Sequence, residues 1–189
     1  MKLYNQNFTL KTLFVLFILV TVTSCVKDVD FDQTENIVPS PILESNLIYS
    51  TLVAPNFIDD STQQEVITLT DTTRVEVISS DFFVDQLSKA NLTFRFINSI
   101  DRQFVVDFEF LNDNDELKYN IQMPVPSGTV NSPILSETTV TIEEPELTSF
   151  KEATKLVYKI TLPPTTTPLT SNTAGQLELQ SKATLYFEL

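Results

Sequence analysis

Apolar and polar side chains alternate with a period of two along most of the chain from Val66 onward. In the segment Asn91–Ser99, Leu92, Phe94 and Phe96 fall on one face and Thr93 and Arg95 on the other. In Gln103–Asn112, Phe104, Val106, Phe108 and Phe110 oppose Asp107 and Glu109. Side chains of a strand point alternately to its two faces, so each run predicts a strand with one face in a core. The two runs are joined by Ser99–Arg102, and the polar turn Asn112–Glu116 leads into Leu117, Tyr119, Ile121 and Met123. Val140 and Ile142 follow, then Leu156, Tyr158, Ile160 and Leu162. The chain closes with Leu177, Leu179, Ala183, Leu185, Phe187 and Leu189, all in phase, which predicts a C-terminus docked in the sheet. Leu47–Val53 is the first expected strand.

Two stretches break the period, Ser80–Ala90 and Pro145–Ala153. Each follows an expected strand (Val75, Val77; Val140, Ile142) and carries apolar residues able to plug the end of a sandwich. Aligned with gaps they form a weak internal near-repeat, readable either as a true repeat or as shared strand patterning. Both are expected to be short helical or irregular crossovers between two sheets. Eight or nine short strands with such crossovers predict an all-β chain, an immunoglobulin-like or related antiparallel β-sandwich. Abundant Val, Ile, Thr, Phe and Tyr agree with that class.

The N-terminus is organised differently. Lys2 and Lys11 precede an apolar run from Leu13 to Val20, which thins out through Thr21, Val22, Thr23 and Ser24. That is the layout of an export signal, and the run falls short of the roughly 20 apolar residues needed to span a bilayer. The single cysteine, Cys25, stands at its exit. Val22, Thr23, Ser24 and Cys25 resemble the lipobox of bacterial lipoproteins. The resemblance implies cleavage before Cys25 and lipidation of its sulfur, with palmitate-like acyl chains as the membrane anchor. The stretch that follows, with Lys27, Asp28, Asp30 and Asp32, resembles the export signal of surface-displayed lipoproteins of Bacteroidota, although Val29 stands where a second acid is often found. An ordinary charged tether is the alternative reading. The expected organisation is a lipoprotein signal peptide over residues 1–24, a lipidated acidic tether over 25–41 and one β-sandwich domain over 42–189. At about 3.3 Å per residue the tether could reach about 50 Å from the lipid.

Charge narrows the partners. Without residues 1–24 the chain keeps 10 basic and 25 acidic side chains, a net charge of −15. Such a surface repels phosphate backbones, so nucleic acid is excluded as a partner. With no histidine in the sequence, histidine-based acid–base, nucleophilic and metal chemistry are excluded too. The two glycines, Gly128 and Gly175, fit turns and cannot make a phosphate loop. The carboxylate pairs Asp59–Asp60 and Glu143–Glu144 could be cast as glycosidase pairs, yet adjacent residues of a strand point to opposite faces, and there is no tryptophan to line a sugar subsite. Asn112–Glu116 offers oxygens for Ca²⁺, without the spacing of a helix-loop-helix site, and also reads as a plain hairpin turn. No catalytic residue, metal ligand or cofactor is expected, and the chain is read as a non-enzyme.

One loop stands apart. Between Lys159 and Glu178 no side chain is charged, and Pro163, Pro164 and Pro168 favour an extended shape that a protein partner could grip; a neutral loop with no partner is the other reading. Asp60–Ser61–Thr62 and Asp71–Thr72–Thr73 resemble the Asp-Ser/Thr-X sites of O-glycosylation in exported Bacteroidota proteins. The expected function is that of a lipid-anchored outer-membrane protein facing the cell exterior, an accessory or structural partner of an outer-membrane assembly. The alternative is a surface glycan-binding or adhesion module, which needs a platform of exposed Tyr49, Tyr119 or Tyr186.

Overall fold

The computed structural model describes residues 40–75 and 81–188. The signal peptide, Cys25 and the charged positions Lys27, Asp28, Asp30 and Asp32 lie outside the described residues, as do Val77 and Leu189.

Eight strands form in the described residues: β1 (Ile42–Val53), β2 (Thr68–Arg74), β3 (Leu87–Asn98), β4 (Phe104–Leu111), β5 (Leu117–Val125), β6 (Ile134–Ile142), β7 (Lys155–Thr161) and β8 (Gln176–Phe187). They make two four-stranded antiparallel sheets, ordered β1-β8-β3-β6 and β2-β7-β4-β5. The pairs β1·β8, β2·β7, β3·β6 and β4·β5 are those of one long hairpin folded over itself. Rolling that hairpin into two facing sheets gives the jelly-roll form of the β-sandwich. Pairing order alone selects this form among the related sandwiches that the strand pattern allows.

The alternation does what it predicts. Leu92, Phe94 and Phe96 of β3, and Leu177, Leu179, Ala183, Leu185 and Phe187 of β8, are buried from one sheet. Phe104, Val106, Phe108 and Phe110 of β4 with Leu156 and Ile160 of β7 face them from the other. The two layers meet where the rings of Phe94 and Phe108 lie 4.1 Å apart between centroids. The helices Asp81–Gln86 and Glu146–Phe150 carry the chain from one sheet to the other, and Phe83, Leu147 and Phe150 plug the adjacent end of the core.

Three details differ from the sequence reading. β1 begins at Ile42, five residues before Leu47, because its first half pairs with Thr184–Tyr186 despite a weak apolar pattern. Leu117 shares its parity with Ile121 yet is exposed; the register shifts between Phe110 and Leu111, and that shift turns the start of β5 outward. The strand expected at Val75 stops at Arg74, although Val75 itself is buried.

The register also sorts the connections by end. Val53 pairs with Gln176, Asn98 with Leu177 and with Ile134, and Phe104 with Val125. The connections 54–67, 99–103, 126–133 and 162–175 therefore share one end of the sandwich. The two helices, the turn 112–116 and Pro41, whose carbonyl accepts the Phe187 N–H at 3.1 Å, lie at the other.

Candidate functional site

The end formed by residues 54–67, 99–103, 126–133 and 162–175 is assembled around one turn. Asn98 is fully buried, and its amide donates to the carbonyls of Arg102 (2.7 Å) and Pro126 (2.8 Å) while accepting the Ile100 N–H (2.9 Å). Both glycines pack against this turn. A Cβ on Gly128 would stand 2.0 Å from the Asn98 carbonyl oxygen, and one on Gly175 would stand 2.2 Å from that of Ser99, at a φ of +104° that already favours glycine. Two loops thus touch this turn at a distance that only glycine permits.

Arg102, expected only as part of a joining turn, ties the neutral loop down. Its side chain is 6% exposed; Nη2 donates to the Pro163 carbonyl at 2.7 Å and lies 3.5 Å from Oε2 of Glu65, whose side chain is 12% exposed. Nη1 makes a longer contact of 3.5 Å with the Thr167 carbonyl, and Oε1 of Glu65 accepts the Leu169 N–H at 2.7 Å. Leu162 and Leu169 are buried. The loop is consequently fixed at both shoulders, with Pro164 and Pro168 exposed and Pro163 half-buried. Its crown is presented, while its base belongs to the core.

A second charge-free segment joins it. No side chain between Lys118 and Glu137 is charged, and this segment supplies the connection 126–133. A groove of about 390 Å³ lies between the two loops, lined by Ile97, Ser99, Val130, Pro133, Ala174, Gly175, Gln176 and the acidic Glu178. In a chain this acidic, an uncharged region built from two distant segments is a concentrated departure from composition. Counting charge-free windows along the sequence finds both segments; their adjacency comes from the strand order.

A larger depression, about 540 Å³, lies on the outer face of the β1-β8-β3-β6 sheet. Its lining includes Tyr49 on β1, Gln180 and Lys182 on β8, Thr93 and Arg95 on β3, and Glu137 on β6. Tyr49, Gln180, Arg95 and Glu137 are in register across the four strands. The cause is a break in the β1·β8 ladder between Asn46 and Ile48, where the Ile48 N–H donates to the Ser181 hydroxyl at 3.1 Å. Ser181 interrupts the apolar series from Leu177 to Phe187, and that interruption is its visible sequence signal.

The three tyrosines do not form a common platform. Tyr49 is 74% exposed. Tyr186 shares its face but pairs with Ile42, six residues further along β8 or roughly 20 Å away. There Lys89 Nζ lies 4.4 Å from the centre of its ring, and its hydroxyl accepts the Asn91 amide. Tyr119 belongs to the other sheet and packs against Phe110 and Phe150; its burial, with Glu146 nearby, raises its pKa.

The acidic clusters stabilise turns. Oδ1 of Asp59 accepts hydrogen bonds from the hydroxyls and backbone N–H groups of Ser61 and Thr62, which lower its pKa to about 2. Glu144 accepts the Thr148 hydroxyl at 2.7 Å. In the turn 112–116, Asn112 accepts the N–H groups of Asn114 and Glu116, Asp113 accepts the Thr154 hydroxyl and Asp115 pairs with Lys155. Among the described residues no group of three metal-ligating side chains is found. Ser61 and Thr72, the hydroxyls of the two glycosylation-like triplets, are both exposed.

No family model matches the sequence, and no curated protein sequence matches it significantly. Similar solved structures include the VP2 subviral particle of infectious bursal disease virus, with a TM-score of 0.46 at 9% identity over 79% of this chain and 33% of that one. Desmodium yellow mottle tymovirus gives 0.32 at 14%, over 82% and 84%. The enzymatically active domain of tailspike protein 4 from bacteriophage CBA120 gives 0.33 at 12%, over 83% and 20%. The chain spans about a third of the length of the bursal-virus chains it matches. TM-scores below 0.5 give no guide to what it binds.

Proposed function

We propose that this chain is a non-catalytic, lipid-anchored outer-membrane protein facing the cell exterior, and that it serves as a partner within an envelope assembly through the two uncharged loops, 126–133 and 162–175, at one end of the sandwich. The carrying observation is that two charge-free segments, 119–136 and 160–177, meet at the end of the sandwich opposite Pro41. An anchor at Cys25 leads into the domain at the Pro41 end. β1 alone is 12 residues long, so the uncharged loops stand roughly 40 Å further along the domain. A neutral surface spares a partner the cost of approaching a strongly negative protein elsewhere. The prolines hold the loop crown in a fixed shape, which lowers the ordering cost of binding.

The test is co-purification from gently solubilised membranes, comparing the wild type with a variant in which Pro163, Pro164 and Pro168 are replaced by Ser. A stoichiometric companion protein that is depleted in the variant supports the reading; equal recovery in both removes the loop from the interface. Intact mass checks the anchor: a mature chain starting at Cys25 with acyl mass added is expected, and an unmodified chain starting at Met1 ends the lipoprotein reading. A second reading, a glycan-binding module, is favoured by one observation, the exposed ring of Tyr49 beside the depression on the β1-β8-β3-β6 sheet.

A further inference from the structure

We infer that the depression at the β1 bulge is a binding site for an uncharged saccharide chain, with Tyr49 as its stacking platform and Arg95, Glu137, Gln180 and Lys182 as its hydrogen-bonding floor. This rests on the glycan-binding reading and gives it a place and a ligand class. Three features of the molecule carry it.

The first is the way the site is built. β8 and β3 are central strands whose backbones are paired on both sides, so this face recognises ligands through side chains and cannot add a strand. The bulge between Asn46 and Ile48 departs from the regular ladder and is sustained by Ser181, one of only three polar residues buried among the described ones. Beyond the bulge, Tyr49 is set directly across from Gln180, with its ring exposed at the rim. Bulges commonly re-aim a side chain next to a functional site, and a buried serine in an apolar series is costly unless it makes such a bond.

The second is the chemistry of the floor. Arg95 and Lys182 donate, Glu137 accepts, and Gln180 does both, in one patch. Sugar hydroxyls also donate and accept together, so they can satisfy a mixed floor that a purely anionic or cationic ligand cannot. The charges balance locally. Arg95 Nε lies 3.9 Å from Glu137 and Lys182 Nζ lies 3.4 Å from Glu44 on the same face, leaving no excess charge to select an ion. Arg95 Nε is also shielded from solvent with no hydrogen-bond partner among the described residues. A tyrosine ring exposed beside such a floor offers an apolar face to the C–H groups of a pyranose and a phenol to its hydroxyls.

The third is shape. The depression holds about 540 Å³ and is open, within the ~300–1,000 Å³ range of ligand pockets. An open trough across four strands accepts the middle of a chain, whereas a closed cavity accepts a single free sugar.

The experiment is affinity electrophoresis of the full-length protein through gels containing, one at a time, an α-glucan, a β-glucan, a mannan, a xylan and a galactan, with thermal melting as the fold control. Retardation by at least one polysaccharide is expected. Tyr49→Ala and Gln180→Ala should each weaken it tenfold or more with unchanged melting, and Tyr49→Phe should keep most of it. Retardation of the wild type that both Ala variants retain in full would place the saccharide elsewhere and overturn this site while leaving the glycan reading standing. Absence of retardation by all five polymers would overturn the glycan reading and the site with it.

Discussion

The Arg102–Glu65 pair allows a quantitative test of how the neutral loop is held. Arg102→Met removes the guanidinium but keeps most of the side-chain volume. Glu65 is then left with the Leu169 N–H as its partner, and the Pro163 carbonyl loses its 2.7 Å donor. Breaking a buried pair on one side costs about 3–5 kcal/mol. Because Glu65 keeps some exposure and lies 3.5 Å from the guanidinium, the low end applies, about 3 kcal/mol. At 2–4 °C per kcal/mol for a domain of this size, the melting point should fall by about 6–12 °C. Glu65→Gln alone leaves Arg102 with two carbonyl acceptors, and we predict a loss of about 1–2 kcal/mol. The double variant Arg102→Met/Glu65→Gln buries no charge, and its amide oxygen still accepts the Leu169 N–H. It should cost about 1–2 kcal/mol, well short of the sum of the single changes, with a coupling of about 3 kcal/mol. Urea denaturation of the four proteins measures this cycle. Additivity within about 0.5 kcal/mol, or a loss below about 1 kcal/mol for Arg102→Met, would refute the account, since either result means the pair is solvated and the loop stands free.

Other outcomes are predicted on the same footing. Phe108→Ala, which removes a fully buried ring packed against Phe94, should destabilise by about 3–5 kcal/mol in denaturant titration, and a loss under about 1.5 kcal/mol would mean the two sheets do not meet there. Gly175→Ala should cost more than about 1 kcal/mol, because a positive φ and a contact of 2.2 Å with the Ser99 carbonyl oppose any Cβ; a stabilised variant would contradict the close approach of the two loops. Asp59, with its pKa lowered to about 2, favours the folded turn whenever it is charged. Its contribution should be complete above its unfolded value near 4 and disappear as pH falls through about 2, and Asp59→Asn should flatten that part of the acid-stability profile. A carboxyl resonance titrating near pH 4 would contradict the hydrogen bonds assigned to it.

The strands were legible in the sequence because a sheet face reads out directly as a period of two. Phe94 and Phe96, Phe104 to Phe110, and Leu177 to Phe187 announce their own side, and so does the failure of alternation at the two crossover helices. Composition likewise fixes what the chain lacks, histidine above all, since a count needs no geometry. The pairing order could not be read, because a period of two says which face is buried and nothing about which strand lies alongside. That order decides that β1 meets β8, and so brings Tyr49 opposite Gln180 and the segments 126–133 and 162–175 to one end. Arg102 shows the same division at the scale of one residue. In sequence it is a cation in a polar turn. Only the closing of two other connections, 54–67 and 162–175, over it removes its water and turns it into the pin of the neutral loop.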